Sequence, residues 1–561
     1  MADWITRHRY RFLIVIGSYF CFQVILRAVL SSSLDYDESE QVFLSQWTLW
    51  GYNSQPPLYT WMQKVVFKLF GYNPFSLALL KNVLLFLTYV SVYALVHKET
   101  GDPRQAVVAS LGMLMIPQIS WESHRDLSHT VAVTFATAAL VYCVIALEKD
   151  KRTFWYIAIG LVCAFGILSK YNFAIIILAV VAAVLTIPAF RRNLLDYRIG
   201  WSFAIAAILV APHVYWMIEH RSLVSQKTIA TLSGESTHSY LQNVSVGLKA
   251  LFVSAFASCC LLCLSLFAIA YRSSLWEKVI QARENYRQPV QVIQTRTAAS
   301  DTTILIGRIF LVVTAILVLF VLSGNVLEFK NRWIQPFVCL LPAYLVLRFR
   351  DSGFVDRVAM NRVVLTGFLL MATILIGIAV RPTASPRWGK YSLLNIPFRA
   401  FCETIRQQEG ADPPIILAAN MRIAGNLKRH FPESLVLSAS SNYILGLESV
   451  SKRIRRDGQH AIVVTDTSSP LSQQTLQWLT TKLVALDHIQ FNWESIQHPY
   501  YYDVTDKMAM LEYAHLAESS YEVAGFGVGE IPVVPSSSDR PKDGDVPHLS
   551  NRPVPSDSTL K

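Results

Sequence analysis

Residues 153–189 read TFWYIAIGLVCAFGILSKYNFAIIILAVVAAVLTIPA, and how this run is divided sets the sidedness of everything after it. A single helix over this stretch, rising about 1.5 Å per residue, would far exceed a bilayer core of about 30 Å. The polar step Ser169-Lys170-Tyr171-Asn172 offers a tight turn, so the run reads as two antiparallel spans. Loop charge supports the division. With the N-terminus inside, Arg7, Arg9, Arg11, Lys98, Arg104, Lys149, Arg191, Arg192, Arg198 and the basic stretch 272–296 all fall in inner loops. Reading one span instead would put Arg191, Arg192 and 272–296 outside, against the positive-inside rule.

The rest of the chain fits a membrane protein. Of its 561 residues 53% are hydrophobic and 16% charged, with a mean hydropathy of +0.35, more apolar surface than a soluble fold of this length can bury. About eleven spans of roughly 20 residues follow, near 12–31, 75–96, 104–121, 127–147, 153–169, 172–189, 200–218, 247–271, 303–323, 333–349 and 362–380. The first follows three arginines and has no small-residue cleavage site, so it reads as an uncleaved helix. A formal charge of +11 would suggest nucleic acid in a soluble protein. Here the basic residues sit mostly in short loops as topological anchors, and no nucleic-acid partner is expected. Seven of the eight cysteines lie in apolar runs and Cys402 stands alone, without disulfide or zinc spacing.

An odd span count places the acidic loop 32–74 and everything after 381 on the outer side. Residues 1–381 thus form a transmembrane domain and 382–529 a small α/β domain. Ile415–Ala418, Leu435–Leu437 and Ala461–Val464 are its strands, with helical stretches between. The tail 530–561, rich in Pro, Ser and Asp, has the composition of a disordered segment.

The loop 32–74 carries the chemistry. Asp35, Asp37, Glu38 and Glu40 place four carboxylates in six residues just after a span, expensive near lipid unless solvated or used. Beyond Pro56-Pro57, residues Leu58, Trp61, Met62, Val65, Val66 and Leu69 recur at helical spacing, with Lys64 and Lys68 opposite. That is an amphipathic helix suited to the membrane interface, and 39–50 form a weaker version. Taken alone, the acids could equally solvate a helix start.

Asp37-Glu38 after the first span, then Gly51-Tyr52 and Pro56-Pro57-Leu58, resembles the GT-C glycosyltransferases. The similar branch holds bacterial relatives of protein O-mannosyltransferases, aminoarabinose transferases and lipopolysaccharide galacturonosyl transferases. Further matches are Arg125-Asp126-Leu127-Ser128-His129-Thr130, Leu168-Ser169-Lys170-Tyr171, Pro212-His213-Val214-Tyr215-Trp216, Arg332-Trp333-Ile334-Gln335-Pro336 and Leu394-Asn395-Ile396-Pro397-Phe398. Many relatives have His before Pro-Pro, where this chain has Gln55, so a histidine role does not carry over.

The resemblance implies an α-helical polytopic fold and transfer of a sugar from a polyprenyl-phosphate donor to a lipid or glycan acceptor. Lipopolysaccharide core or lipid A is the acceptor class it suggests, with a protein hydroxyl the nearest alternative. It maps the catalytic acid onto Asp37, the base that takes the acceptor's proton, with Glu38 in support and Asp35 as rival. One-step displacement would invert the anomeric centre. Asp126 is either a helix cap or a second acid that positions the acceptor or, with Asp37, holds a divalent metal cation; Glu122 and His124 are nearby alternatives. Lys170 and Arg332 would balance the leaving phosphate, or else snorkel. Tyr171, Gln55, Tyr59 and Lys64 complete the substrate-binding set. A transporter or flippase would instead need ionisable residues at mid-membrane and an inverted repeat. The span interiors look nearly free of charge, which favours an enzyme over it.

Overall fold

The computed structural model describes residues 4–5, 9–52, 55–221, 239–277, 280, 299–438, 453, 460–466 and 492–516; the expected tail 530–561 lies outside them. In chain order the bundle contains α1 (Arg9–Leu30), α2 (Tyr36–Leu44), α3 (Leu58–Phe70), α4 (Pro74–Thr100), α5 (Pro103–Gly112), α6 (His129–Asp150), α7 (Thr153–Ser169), α8 (Phe173–Leu185) and α9 (Pro188–Leu194). It continues with α10 (Ile199–Glu219), α11 (Tyr240–Ala270), α12 (Asp301–Leu322), α13 (Asn331–Val338), α14 (Leu341–Asp351) and α15 (Arg357–Ala384).

Among the described residues, seven helices are long and apolar enough to cross a bilayer: α1, α4, α6, α10, α11, α12 and α15, the last counted through to Trp388. The remaining four expected spans are shorter or broken. α7 has 17 residues, and α8 turns through 117° into α9. The span expected at 104–121 is α5 followed by a 3-10 turn and a π turn ending at Glu122, interrupted by Pro117. The one at 333–349 is α13 and α14, broken where Pro336 and Pro342 remove backbone donors. The hairpin is present, with Lys170–Asn172 turning between α7 and α8.

Helix ends are set by local chemistry. α4 starts where Asn73 accepts the Ser76 N–H at 2.9 Å and Pro74 needs no donor, and stops at Gly101 in the left-handed region (φ 69°). α6 is the hub, packed against α4, α7 and α13. Its Ala132, Ala136, Ala138, Thr134 and Thr137 are buried, small residues that let helices approach closely.

The two helices of the acidic loop differ. α3 turns Tyr59, Thr60, Gln63 and Phe67 inward, packs Leu58, Met62 and Val66 partly against the core, and leaves the Val65 and Leu69 edge of its apolar stripe exposed. That suits an interfacial helix. α2 instead buries Val42, Phe43 and Leu44 and is covered from beyond the bundle.

The cover is the C-terminal region: α16 (Phe398–Glu409), β1 (Ile415–Ala418), α17 (Met421–His430), β2 (Leu435–Ser438), β3 (Ala461–Thr465), β4 (Glu494–Pro499) and β5 (Met508–Leu516). The sheet order is β2-β1-β3-β5-β4, with β1 parallel to both neighbours and β5 antiparallel to β3 and β4. α17 lies directly on α2. A methyl group on Gly425 would sit 2.1 Å from the Ser39 carbonyl oxygen, so only glycine allows this approach. The Asn426 side chain accepts the Leu34 N–H at 2.9 Å and donates to Ser39 Oγ at 3.1 Å. Gln46 satisfies the edge of β2, taking the Val436 N–H at 3.0 Å and donating to the Val436 carbonyl at 3.1 Å. The described residues up to Leu516 consequently form one compact unit.

Candidate active site

The site is assembled around the head of α2. Asp35 stands before the helix with extended backbone and accepts the Tyr36 N–H at 2.9 Å, while Glu38 accepts the Asp35 N–H at 3.0 Å. This capping box fixes the first turn. Arg27, in the last turns of α1, grips Glu38 at two points, 2.9 and 2.5 Å, and donates to the carbonyls of Ser31 and Ser33. Burial works to raise the Glu38 carboxyl, but the Arg27 charge and hydrogen bonds hold it below the usual range. Glu38, expected as a catalytic partner, is thus committed to Arg27 and to the helix start.

Asp37 faces a different setting. Ser128 Oγ donates to its Oδ2 at 3.2 Å, and its backbone N–H donates to Asp126 Oδ1 at 3.3 Å. Asp126 therefore serves the acidic loop and is not the cap of α6, whose cap position is Ser128. Burial and then Glu40 push the Asp37 carboxyl up to about 6, against the pull of Arg332 and Lys81. Burial and then Asp37 push Asp126 up to about 6 as well. Asp35 also rises to about 6, through burial and the charges of Asp126 and Glu38.

Cations surround this cluster. Lys170, in the α7–α8 turn, is buried, and its amine donates to Thr130 Oγ1 at 2.8 Å. Burial, then Arg332, lowers it to about 7, with Asp37 opposing. Burial replaces the snorkelling alternative for this residue. Arg332 is exposed and lines a cavity of about 270 Å³ with Gln118, Glu122, Arg125, Asp126 and Lys330. Lys81, on α4, is buried, and its charge bears on Asp37, Glu38 and Asp126 together. Sequence reasoning missed it by reading the span interiors as nearly uncharged. A lysine seven residues into an apolar helix was the signal.

A polar relay ties the floor together. Thr60 donates to Gln41 at 2.9 Å, Gln41 meets His129 Nε2 at 3.2 Å, and His129 Nδ1 meets the Ser169 carbonyl at 3.3 Å. The carbonyl requires the proton on Nδ1, leaving Nε2 to accept from the Gln41 amide. Tyr59 is buried against the His129 ring, and the charges of Asp37 and Glu38 add to the burial that raises its hydroxyl. Along one wall Tyr171, His213, Trp216 and His220 stack in series, with the Tyr171 hydroxyl 3.1 Å from His213 Nε2. His213 Nδ1 holds the Trp50 carbonyl at 2.6 Å, and Gly51 packs so closely on Trp216 that a Cβ would lie 2.1 Å from its ring.

Of the expected residues, Asp37, Asp126, Lys170, Arg332 and Tyr59 share one electrostatic neighbourhood. Tyr171 belongs to the aromatic wall, and Gln55 is half-buried before Pro56-Pro57. Lys64 donates to Thr48 at 2.6 Å, away from these contacts. Asp37 and Asp126 offer two hard oxygen ligands without a third protein ligand among the described residues, so a divalent ion there would lean on substrate oxygens.

Three comparisons bear on this arrangement. The family model for dolichyl-phosphate-mannose-protein mannosyltransferases matches residues 54–216. The lipopolysaccharide core galacturonosyltransferase RgtB of Rhizobium johnstonii is 33% identical over 429 residues, covering 76% of this chain and 82% of that protein. RgtA of the same organism is 29% identical, covering 75% and 80%. The crystal structure of ArnT from Cupriavidus metallidurans bound to undecaprenyl phosphate shares the fold, with a TM-score of 0.57 at 12% identity, over 89% of this chain and 98% of that one.

Proposed function

The chain belongs to the family of the lipopolysaccharide core galacturonosyltransferases, membrane glycosyltransferases of GT-C type, and from that premise we propose that it moves a galacturonosyl residue from a polyprenyl-phosphate carrier to a lipopolysaccharide core acceptor. The observation that carries the reading is a half-buried carboxyl, Asp37, set between Ser128 and Asp126 with Lys81, Lys170 and Arg332 around it.

Asp37 takes the proton of the acceptor hydroxyl as that oxygen bonds to the anomeric carbon. The bond from that carbon to the carrier phosphate breaks, and the phosphate leaves with the electron pair. A carboxyl held near 6 is mostly ionised at neutral pH yet is a stronger base than an ordinary carboxylate, which is what proton abstraction from a hydroxyl favours. A single displacement of this kind inverts the anomeric centre. Lys170 and Arg332 balance the leaving phosphate, and Asp126 orients the acceptor. The polar floor holds α2 and the α7–α8 turn in register for the reaction. The aromatic wall gives flat surfaces for a sugar ring. In this reading the acidic loop and C-terminal sheet face the outer side of an inner membrane with the N-terminus inside, an orientation that the loop charge supports.

The test is transfer by purified full-length protein from polyprenyl-phosphate galacturonic acid to core oligosaccharide, with Asp37→Asn as comparator. Loss of transfer with donor binding retained supports the assignment; equal turnover removes it.

A further inference from the structure

Away from the acidic loop, Glu409, His460 and His515 converge from three parts of the C-terminal sheet region. Glu409 ends α16, His460 immediately precedes β3, and His515 lies on β5 opposite Ile462. One carboxylate addresses both rings: its Oε1 is 3.3 Å from His515 Nε2 and its Oε2 is 3.8 Å from His460 Nδ1. The two imidazoles approach each other at 2.8 Å, and the three residues' candidate ligand atoms lie within 4.8 Å of one another. The Glu409 side chain is only 9% exposed, whereas the imidazoles are 42% and 39% exposed.

We propose that Glu409, His460 and His515 bind a first-row divalent ion, zinc by ligand chemistry, which ties the end of α16 to strands β3 and β5. Two imidazoles and a carboxylate are borderline ligands that suit zinc better than magnesium or calcium. Around an ion with bonds of about 2.0–2.2 Å, tetrahedral ligand atoms stand roughly 3.3–3.5 Å apart. The observed approaches of 3.3 and 3.8 Å are near that spacing, and with all three candidate ligand atoms within 4.8 Å of one another the exposed rings need to turn inward to close on an ion. Binding replaces the contact between the rings with two metal–nitrogen bonds, which requires both imidazoles to be neutral. Glu494 stands beside the group, its Oε1 4.0 Å from His515 Nε2 and its Oε2 taking the Tyr513 hydroxyl at 2.9 Å. It can fill a fourth position or orient His515 from outside.

The experiment strips tag-free, full-length protein in detergent with a chelator, then titrates it with Zn²⁺ against a chromophoric competitor. One equivalent per chain is expected, with affinity falling at least 30-fold in His460→Gln and in His515→Gln. Both side chains are at the surface, so the variants keep the fold, and unchanged gel-filtration profiles confirm it. His498→Gln is the control, because that imidazole is engaged with Thr404 at 2.8 Å outside the group. Co²⁺ substituted for zinc should give visible bands of a four-coordinate site in wild type and not in the histidine variants. No uptake by wild type overturns the proposal. So does uptake that survives both histidine substitutions, or that is lost with Asp37→Asn or Asp126→Asn instead.

Discussion

The two ends of the helix bundle treat their carboxylates in opposite ways. At the end away from the acidic loop Asp150, Asp196, Asp351 and Glu99 each have a close cationic partner. Lys98 lies 2.7 Å from Asp150, Arg198 2.7 Å from Asp196, Arg350 2.8 Å from Asp351, and Lys149 3.2 Å from Glu99. Hydrogen bonds from Arg198 hold Asp196 down to about 2. At Asp351 burial pulls upward, but Thr303, the Ser300 N–H and Arg350 win and lower it. At the acidic-loop end Glu38 is treated this way by Arg27, and Glu122 by Arg125 at 2.7 Å, but the central acids are not. Asp37 and Asp126 make no ion pair among the described residues, and both are pushed up to about 6 with cations nearby but not touching. Paired charges fix a helix end. Charges of both signs kept apart around a cavity leave their electrostatic demand for a ligand to meet.

The sharpest way to break this contrast is to neutralise one acid at each end. Asp37→Asn should cut sugar transfer by about 10²–10⁴-fold, the usual range for losing a general base. Asp196→Asn should leave turnover within about twofold, because an exposed pair contributes little. Initial rates on the two purified variants decide it, and comparable losses at both ends would end the distinction.

Acidity gives the next largest effect. Asp37 must be ionised to act, and its raised value leaves it protonated below about pH 6, so transfer should fall about tenfold per unit below that point. Lys170 must be charged to balance phosphate, and its lowered value removes that charge above about pH 7. The profile of kcat/KM should therefore be a narrow bell between these limits. Lys170→Arg keeps its charge at high pH and should abolish the alkaline limb. Asp126→Asn removes a neighbouring negative charge and should move the acidic limb down. A flat profile from pH 5 to 8 would put the reacting group elsewhere.

How far the sequence reveals this end depends on the range over which each contact acts. The turn at Lys170 was legible because helix length against bilayer thickness allows no other reading. Asp37 and Asp126 were singled out by the ordered motifs around them, but their contact across 89 residues was not legible. Lys81 was not, since one lysine barely alters the hydropathy of α4. The grip of Arg27 on Glu38 was not legible, because Arg27 sits inside a different helix. The cover over α2 was invisible for a stronger reason. Asn426 is 392 residues from Leu34, and no local pattern announces a contact across that separation.

That cover supplies the third test. Gly425→Ala forces a methyl group against the Ser39 carbonyl, and overpacking of this kind costs about 1–3 kcal/mol. Because Ser39 follows Asp37 by two residues, the strain should reach the base and lower kcat about tenfold, with little change in the helical content of the bundle. Asn426→Ala, which removes the hold on Leu34 and Ser39, should act in the same direction more mildly. If turnover ignores both substitutions, the sheet region serves something other than seating α2.

The smallest expected effect on catalysis is also the most discriminating. Glu99 at the opposite end is met by Lys149 at 3.2 Å, Arg350 at 3.4 Å and the Thr302 hydroxyl at 2.8 Å, with its side chain only 7% exposed. Glu99→Gln should destabilise the protein by about 1–2 kcal/mol, an intermediate cost because the cations it leaves are partly solvated. Thermal denaturation in detergent measures that loss. Turnover per folded molecule and the pH midpoint near 6 should not move. α4 separates Glu99 from the acidic cluster by most of its 27 residues, about 40 Å of helix and several screening lengths of roughly 8–10 Å. A shifted midpoint in this variant would mean that the field of the whole bundle, rather than burial and immediate neighbours, sets the acidity of Asp37.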